Sequence, residues 1–575
     1  MFVRARAFLG GWGRGTGKGE PSSPWVDLLV LLLLGAVLAS FIALGREWAG
    51  PLARETPIDT SFTALPWYTL LSLCRGLLAY LLSLTFTIVY GTMAAHSRRA
   101  ERVLIPVLDV LQSIPVLSFV PGFVIGLVAL FPGSNVGLEL ACVLAIFTGQ
   151  VWNMTFSYHA SLRAIPREMN EVARLHDFGF RKRLLVLEIP SAMIGLVWNS
   201  MMSMAGGWFF LTVVESFRLG GQPYRLPGLG SYMAAAIETG DGRAIAAGAV
   251  AMVLMIVLVD RLLWHPLLAW SERFKQEETA APDRPRSFIY DLIRRSRLLA
   301  RIRPWFRRRA DAGTGVARVE TAASAVARRM LARAVMLVAG VLVVWGGWHL
   351  AVLLVKLRPA EWARIAAALG YSTLRVAAAI LAGAAWAVPV GIAIGRSPRA
   401  ARVLQPFIQV AASFPAPMIF PLVAPALAAL GVGGNTVAVT LMLISTQWYI
   451  LFNVVAGAAA VPHDMREVAA VFGLGRAARF AILYLGAVFP YLVTGVVTAA
   501  GGAWNATIVA EAVHYGGGAM TVEGIGSLIA SSFDKGNDAL LAAATVALAA
   551  LLVLVNRLGW RRLYRLSDRR FAMNR

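Results

Sequence analysis

The apolar run Leu28 to Gly45 carries no charge and is long enough for a helix to cross the hydrocarbon of a bilayer. Similar runs recur to the far end of the chain, and this recurrence restricts the fold more than any other feature. Backbone placed in hydrocarbon must satisfy its own hydrogen bonds, so repeated runs of this kind mean a bundle of spanning helices. With 58% hydrophobic and 15% charged residues, a soluble fold could not hide so much apolar surface. Arg46 and Glu47 close the first run, and no small-x-small cleavage site leads into a soluble domain. It is therefore read as a retained span rather than a secretory leader.

Reading apolar runs between charged or Gly/Pro-marked loops gives about twelve candidate spans in an all-α polytopic protein. In the first half they fall at 26–46, 69–95, 103–131, 137–160, 184–215 and 244–268. In the second they fall at 333–356, 367–395, 403–430, 435–458, 480–511 and 539–560. Residues 1–25 form an N-terminal tail, 26–268 the first half, 269–332 a basic linker and 333–575 the second half with a basic C-terminal tail.

The formal net charge of +23 invites a nucleic-acid reading, but its placement argues against one. Arginines gather in particular connections: Arg4, Arg6 and Arg14 in the tail, Arg98, Arg99 and Arg102 after the second span, and Arg163 to Arg183 after the fourth. The connection near Pro132 to Val136 has no basic residue. By the positive-inside rule the tail, the even-to-odd connections and the C-terminus are cytoplasmic. The linker stretch Phe288 to Phe306 alternates apolar and basic residues, which suits either a solvated linker or a helix lying on the anionic inner leaflet. Cys74 and Cys142 sit inside apolar runs without metal-ligand spacing and read as packing residues.

The chain repeats itself. Shifted by 300 residues, Arg75 falls on Arg375, Gly91 on Gly391, Pro106 on Pro406, Ser113 on Ser413 and Pro115 on Pro415. Past the third span the offset becomes 296 and holds: Glu171 meets Glu467, Trp208 meets Trp504, Glu215 meets Glu511, and Trp264 meets Trp560. An even number of spans per half makes the repeat parallel, about a pseudo-two-fold along the membrane normal.

After the fourth span of each half comes a matched motif. The first runs Pro166, Glu171, Ala173, Asp177, Gly179 and on to Pro190; the second runs Pro462, Glu467, Ala469, Gly473, Gly475 and on to Pro490. The motif resembles the "EAA" coupling loop of ATP-binding-cassette importer permeases, in which a glycine follows the glutamate by six residues. The second copy keeps that glycine as Gly473, whereas Asp177 stands there in the first. The resemblance covers about 70–270 and 370–560. Pro490 to Gly495, together with the stretch holding Gly501, Trp504, Asn505 and Glu511, resembles most closely the nitrate/sulfonate/taurine branch of the binding-protein-dependent type I family, with two permease domains fused.

The resemblance implies a non-enzymatic permease in a bacterial inner membrane. It implies an ATPase dimer docked on the two loops, holding the ATP and Mg, and an extracytoplasmic binding protein delivering a small anion such as nitrate, a sulfonate or a related organic acid. Physically, a short helix bounded by Pro166 or Pro462 and broken near Gly179 or Gly475 makes a rigid knob. Val468, Ala469, Val471 and Phe472 would give the second knob an apolar face for a partner's groove, and Asp177 in place of glycine suggests that the two knobs contribute unequally. The Gly11 to Gly19 stretch mimics a phosphate loop but has Trp12 and Gly19 where Gly and Ser/Thr are required. An ion-gradient-driven transporter with parallel repeats is the alternative, and it leaves the duplicated knobs unexplained. No metal cluster or nucleophile motif supports a membrane enzyme.

Polar residues inside spans are costly and mark candidate pathways. Asp109, Gln112 and Ser113 precede Pro115, and Gln409 and Ser413 precede Pro415. Trp208, Trp504, Asn505 and Thr507 lie on the fifth spans. All of these except Asp109 are pathway candidates, with both prolines, and Glu215 and Glu511 are candidates for pairing or for a gate near the outer mouth. A small anion there is expected to meet hydrogen-bond donors rather than unpaired cations.

Overall fold

The computed structural model describes residues 45–50, 57–118, 120–219, 222–274, 322–461, 463–515 and 518–570, with isolated positions at 31, 35 and 42. Most of the predicted first span, most of the basic linker and Pro462 lie outside the described residues.

The first half runs α1 (Leu65–His96), α2 (Arg98–Ser113), α3 (Val120–Leu130), α4 (Val136–Arg163), α5 (Arg167–Leu175) and α6 (Ile189–Glu215). A hairpin of β1 (Ser216–Leu219) and β2 (Gln222–Arg225) follows, then α7 (Leu229–Thr239) and α8 (Gly242–Val259). The second half opens with α9 (Ala322–Val355) and repeats the pattern: α10 (Pro359–Gly395), α11 (Pro398–Ser413), α12 (Phe420–Ala429), α13 (Gly434–Ala459), α14 (His463–Val471) and α15 (Leu485–Ala510). It ends with the hairpin β3 (Ala512–Tyr515) and β4 (Gly518–Thr521), α16 (Ile525–Asp534), α17 (Asp538–Val555) and α18 (Arg561–Arg570).

Among the described residues eight helical stretches are long and apolar enough to cross a membrane, and shorter apolar helices at Val343–Val355 and Phe420–Ala429 add to them. The protein is an all-α polytopic membrane protein, apart from its two small hairpins. Side chains such as Leu81, Val89, Leu254, Leu374 and Leu381 lie exposed along the spans, where hydrocarbon rather than water solvates them.

Local chemistry is duplicated with the fold. Ser97 and Ser397 cap α2 and α11 by accepting from Ala100 N–H and Ala400 N–H, each at 3.3 Å. Asp241 and Asn537 do the same for α8 and α17. Each half also carries two π-helical turns at matching places, Leu184–Glu188 with Arg479–Tyr484 and Asp260–Trp264 with Asn556–Trp560.

One expectation about the spans needs correction. The third spans, read as 103–131 and 403–430, are not single helices. Each breaks at Pro115 or Pro415, which lacks an N–H to continue the ladder, passes through a 3₁₀ turn and restarts. The stretch between the fifth and sixth spans folds as a hairpin followed by a short helix packed against the bundle.

Candidate functional site

The fourth-to-fifth connections fold as two short helices outside the spans, α5 and α14. In the first, Asp177 N–H donates to Arg174 O at 3.0 Å and Phe178 N–H to Ala173 O at 3.0 Å; in the second, Gly473 N–H donates to Ala470 O at 3.0 Å and Leu474 N–H to Ala469 O at 3.1 Å. This is the paired closure of a Schellman motif, which requires a left-handed residue just past the helix. Gly473 supplies it with φ +66°, and Asp177 adopts the same region with φ +44°. Aspartate is among the few side chains that tolerate this region. The aspartate thus reproduces the turn, and the backbone gives no reason for unequal knobs. The break comes at Asp177 and Gly473, ahead of Gly179 and Gly475.

Ala173 and Ala469 face inward, at 5% and 4% exposure. Ala173 packs among Tyr158, Leu162, Leu187 and Leu196, seating α5 on its own chain. The expectation that Ala469 belongs to a docking face is therefore wrong; alanine is there because the helix must approach closely. The outward tips are Leu175 and Val471, 82% and 85% exposed, with Val172 and Val468 one turn behind. Glu171 and Glu467 are exposed on the same helices.

At the opposite ends of the spans lies a buried polar cluster in each half. The fully buried Arg75 grips Glu139 with Nε and Nη2, at 2.7 and 2.6 Å, and donates from Nη1 to Glu215 Oε1 at 2.8 Å and Pro227 O at 2.7 Å. Ser72 Oγ donates to Glu215 at 2.6 Å, and Gly230 N–H donates to its other oxygen at 2.7 Å. In the second half Arg375 bonds Glu511 at 2.7 Å, Ser372 donates to Glu511 at 2.6 Å, and Gly526 N–H donates at 2.9 Å. Asn435 Oδ1 stands where Glu139 does, accepting from Arg375 at 3.0 and 2.6 Å. One arginine thus meets two carboxylates in the first half and one in the second.

Gly228 and Gly524 press on these carboxylates; a Cβ there would lie 2.4 and 2.2 Å from the Glu215 and Glu511 side chains. Glu215 and Glu511 are accordingly fixed ion-pair partners that clamp the segment leading into α7 and α16. Sequence reading used Arg75 and Arg375 only as repeat markers. Their recurrence inside apolar runs, with a glutamate repeated on the fifth span, was the available signal.

Among the described residues, two sizeable cavities lie between the halves. One, of about 810 Å³, is on the hairpin side and is lined by both hairpin regions with Leu117, Val213, Met418 and Phe420. The other, of about 630 Å³, is lined by α2, the middle of α4 and α6 from the first half and by α13, α15, α17 and α18 from the second. Between them Phe209 packs against both cores, and Asn505 Oδ1 accepts from Val116 N–H at 2.8 Å. Phe209 and Asn505 occupy equivalent positions, so the partition is apolar on one side of the pseudo-axis and polar on the other. Phe209 escaped the sequence reading because phenylalanine in a span carries no polar signal.

The second cavity gathers Gln112, Pro115, Trp504 and Asn505 with Asp109. Ser413, Pro415, Trp208 and Thr507, expected on the pathway, are buried and line neither cavity. Trp208 instead fills the space over Gly76, and Thr507 Oγ1 is spent on Trp504 O at 2.7 Å. Gln409 lies at the seam between the halves, donating to Asp260 at 2.8 Å. The side chain of Ser113 lies outside the described residues.

Two segments of the chain, residues 87–264 and 387–573, match the family model described as binding-protein-dependent transport system inner membrane component. The putative aliphatic sulfonates transport permease protein of Bacillus subtilis (strain 168) is 24% identical over 208 residues, which is 36% of this chain and 70% of that one. The nitrate import permease protein of Leptolyngbya laminosa is 31% identical over 187 residues, covering 32% of this chain and 63% of the relative. For the bicarbonate transport system permease protein of Synechococcus elongatus the figures are 28% over 187 residues, 32% and 64%. The chain thus spans about two thirds of the length of the curated relatives it matches.

Proposed function

Because the chain belongs to the family of binding-protein-dependent transport system inner membrane components, we propose that it forms the membrane pathway of an ATP-driven importer, with both permease domains in one polypeptide. On this reading 26–268 and 333–575 are the two domains, each with its matched segment inside it. The carrying observation is the pair of α5 and α14, held rigidly by Schellman turns outside the spans. Their apolar tips, Leu175 and Val471, are exposed on connections that lie outside the candidate spans. An ATPase dimer offering two apolar grooves would cover both, and ATP and Mg would be bound by that partner. Glu171 and Glu467 would orient the docked helices. On this reading α5, α14 and both termini lie on the cytoplasmic face of a bacterial inner membrane, a placement that the arginine-rich connections support. The hairpins and the larger cavity then face an extracytoplasmic binding protein.

The names of the relatives point to a small anion: nitrate, a sulfonate, bicarbonate or a related organic acid. The charged residues lining the smaller cavity are Asp109 and Arg561, bonded to each other, and Arg225 of the larger cavity is bonded to Glu238. Selection along the path therefore rests on hydroxyl, amide and indole donors, which can release an anion that an unpaired cation would hold. Gln112, Trp504 and Asn505 are the pathway residues the cavity supports, with Phe209 and Asn505 as the internal partition.

Purification from the native membrane tests the reading. An ATPase is expected to accompany the chain, and uptake into proteoliposomes should require ATP hydrolysis. Uptake driven by an ion gradient, with no ATPase in the complex, would overturn it.

A further inference from the structure

The smaller cavity is built for more than an inorganic ion. Its volume of about 630 Å³ equals on the order of twenty water-sized volumes, whereas a bare three- or four-atom oxyanion is comparable in size to one water. A space of this size, walled by aromatic rings together with amide and hydroxyl side chains, falls within the range of pockets that hold organic molecules. The rings here are Trp152 and Phe156 on one face of α4, Phe209 and Phe210 on α6, Trp560 after α17, and Trp504 on α15. Phe209 and Phe210 already stand edge to face, with centroids 5.3 Å apart, showing that the wall presents ring edges as well as faces.

Resting on the permease reading above, we infer that this cavity selects an organic anion whose acidic head is carried on a planar aromatic body, an arenesulfonate or arenecarboxylate in class, over a bare inorganic oxyanion. The argument is one of compensation. A small, strongly hydrated anion entering here would find the same few amide and hydroxyl donors, but the lining cation is already committed to Asp109 and the rest of its shell would be exchanged for ring surface, so its hydration would be only partly replaced. An aromatic body gains both the burial of its own surface and ring–ring contact with Trp152 and Phe156. Its head remains free to accept from the amide of Asn153 and the hydroxyl of Tyr449, which line the same space. Thr494 and Thr498 add little donation, because their hydroxyls are directed to Pro490 O and Thr494 O at 3.1 and 2.9 Å. The ring residues therefore carry the discrimination.

A cysteine at Thr498 reports on the cavity, since the native Cys74 and Cys142 are buried and leave little background. Full-length Thr498→Cys protein in nanodiscs would be labelled with a water-soluble maleimide, in sodium benzenesulfonate or in sodium nitrate at matched ionic strength. Benzenesulfonate is expected to slow labelling saturably by at least tenfold, and nitrate to leave the rate unchanged. Adding Trp152→Ala or Phe156→Ala should raise the protecting concentration about tenfold, while Trp152→Phe should keep protection within threefold. Equal or better protection by nitrate, no protection by either anion, or protection indifferent to Trp152→Ala would each overturn the inference. Those results would leave the importer reading standing, because that reading depends on ATPase copurification. An ATP-independent chain that still passed the labelling test would overturn only the importer reading.

Discussion

Asp109 and Gln409 hold the same position in the two halves, and each bonds across the seam to the opposite half. Asp109 Oδ1 accepts from Asn556 Nδ2 at 3.0 Å, and Gln409 Nε2 donates to Asp260 Oδ1 at 2.8 Å. Asn556 and Asp260 are themselves equivalent, so acid and amide are exchanged between the two seams. Arg561 closes the first seam on Asp109, and its counterpart His265 contacts Asp260 at 3.2 Å.

The exchange makes the two seams respond differently to the same kind of change. Asp109→Gln gives an amide opposite Asn556 and loses only a half-exposed ion pair, worth roughly 1 kcal/mol or less. Gln409→Asp sets two carboxylates against each other, and like charges about 4 Å apart repel by roughly 4 kcal/mol at an effective dielectric of 20. Thermal unfolding of the purified protein should show Gln409→Asp much the more damaging. Equal losses would mean that the seams are not in contact as described.

The buried arginines give a second contrast. Glu139→Gln leaves Arg75 paired with Glu215 and copies the arrangement in which Arg375 already meets Asn435. Glu511→Gln leaves Arg375 buried without a carboxylate, and breaking such a pair costs roughly 3–5 kcal/mol. Folded yield and melting temperature in detergent should fall sharply for Glu511→Gln and little for Glu139→Gln. The reverse order would show that the second carboxylate in the first half is the essential one.

Much of this was legible from residues alone. The duplicated spans, the parallel repeat and the two short helices outside the bundle follow from apolar run length and from matched Pro, Gly and Glu positions. The break at Pro115 was not, because a proline within an apolar run signals a kink or a full interruption equally well. The hairpins and α7 were hidden for another reason: the stretch from Ser216 to Thr239 is too short and mixed to show a period. Pathway residues were the least legible. A repeat predicts symmetric roles, whereas burial of Trp208 and exposure of Asn505 to the cavity depend on packing between halves that differ at single positions such as Phe209 and Asn505.

The turn after α5 and α14 can be tested directly. Asp177→Gly should be neutral or slightly stabilising, because glycine adopts the left-handed region without strain. Asp177→Val and Gly473→Val, which force a β-branched residue there, should each cost roughly 1–2 kcal/mol locally and loosen the helix. Proteolysis at the loop and ATPase stimulation would report the change, and similar severity at both sites is expected. A variant at Gly473 that is far more harmful than the same one at Asp177 would restore the idea of unequal knobs.

Leu175→Arg and Val471→Arg alter exposed tips and should leave folding intact, since surface changes of this kind usually lie within about 0.5 kcal/mol. Each should weaken ATPase retention on an affinity column, and the double variant should abolish it. Ala469→Leu, by contrast, overfills the contact beneath the helix and should lower stability. Full ATPase retention by the double arginine variant would remove these tips from the docking surface.

The exchanged seam also bears on how such a protein can be assembled. Two copies of the first half, arranged about a true two-fold, would set Asp109 against Asp260 at both seams, so that half repels itself. Two copies of the second would place Gln409 against Asn556, a neutral contact without the Asp109–Arg561 attraction. Only one of each satisfies both seams. Covalent fusion therefore fixes a stoichiometry that separate genes would have to regulate, and the halves, once diverged in this way, can no longer be replaced by a homodimer of either.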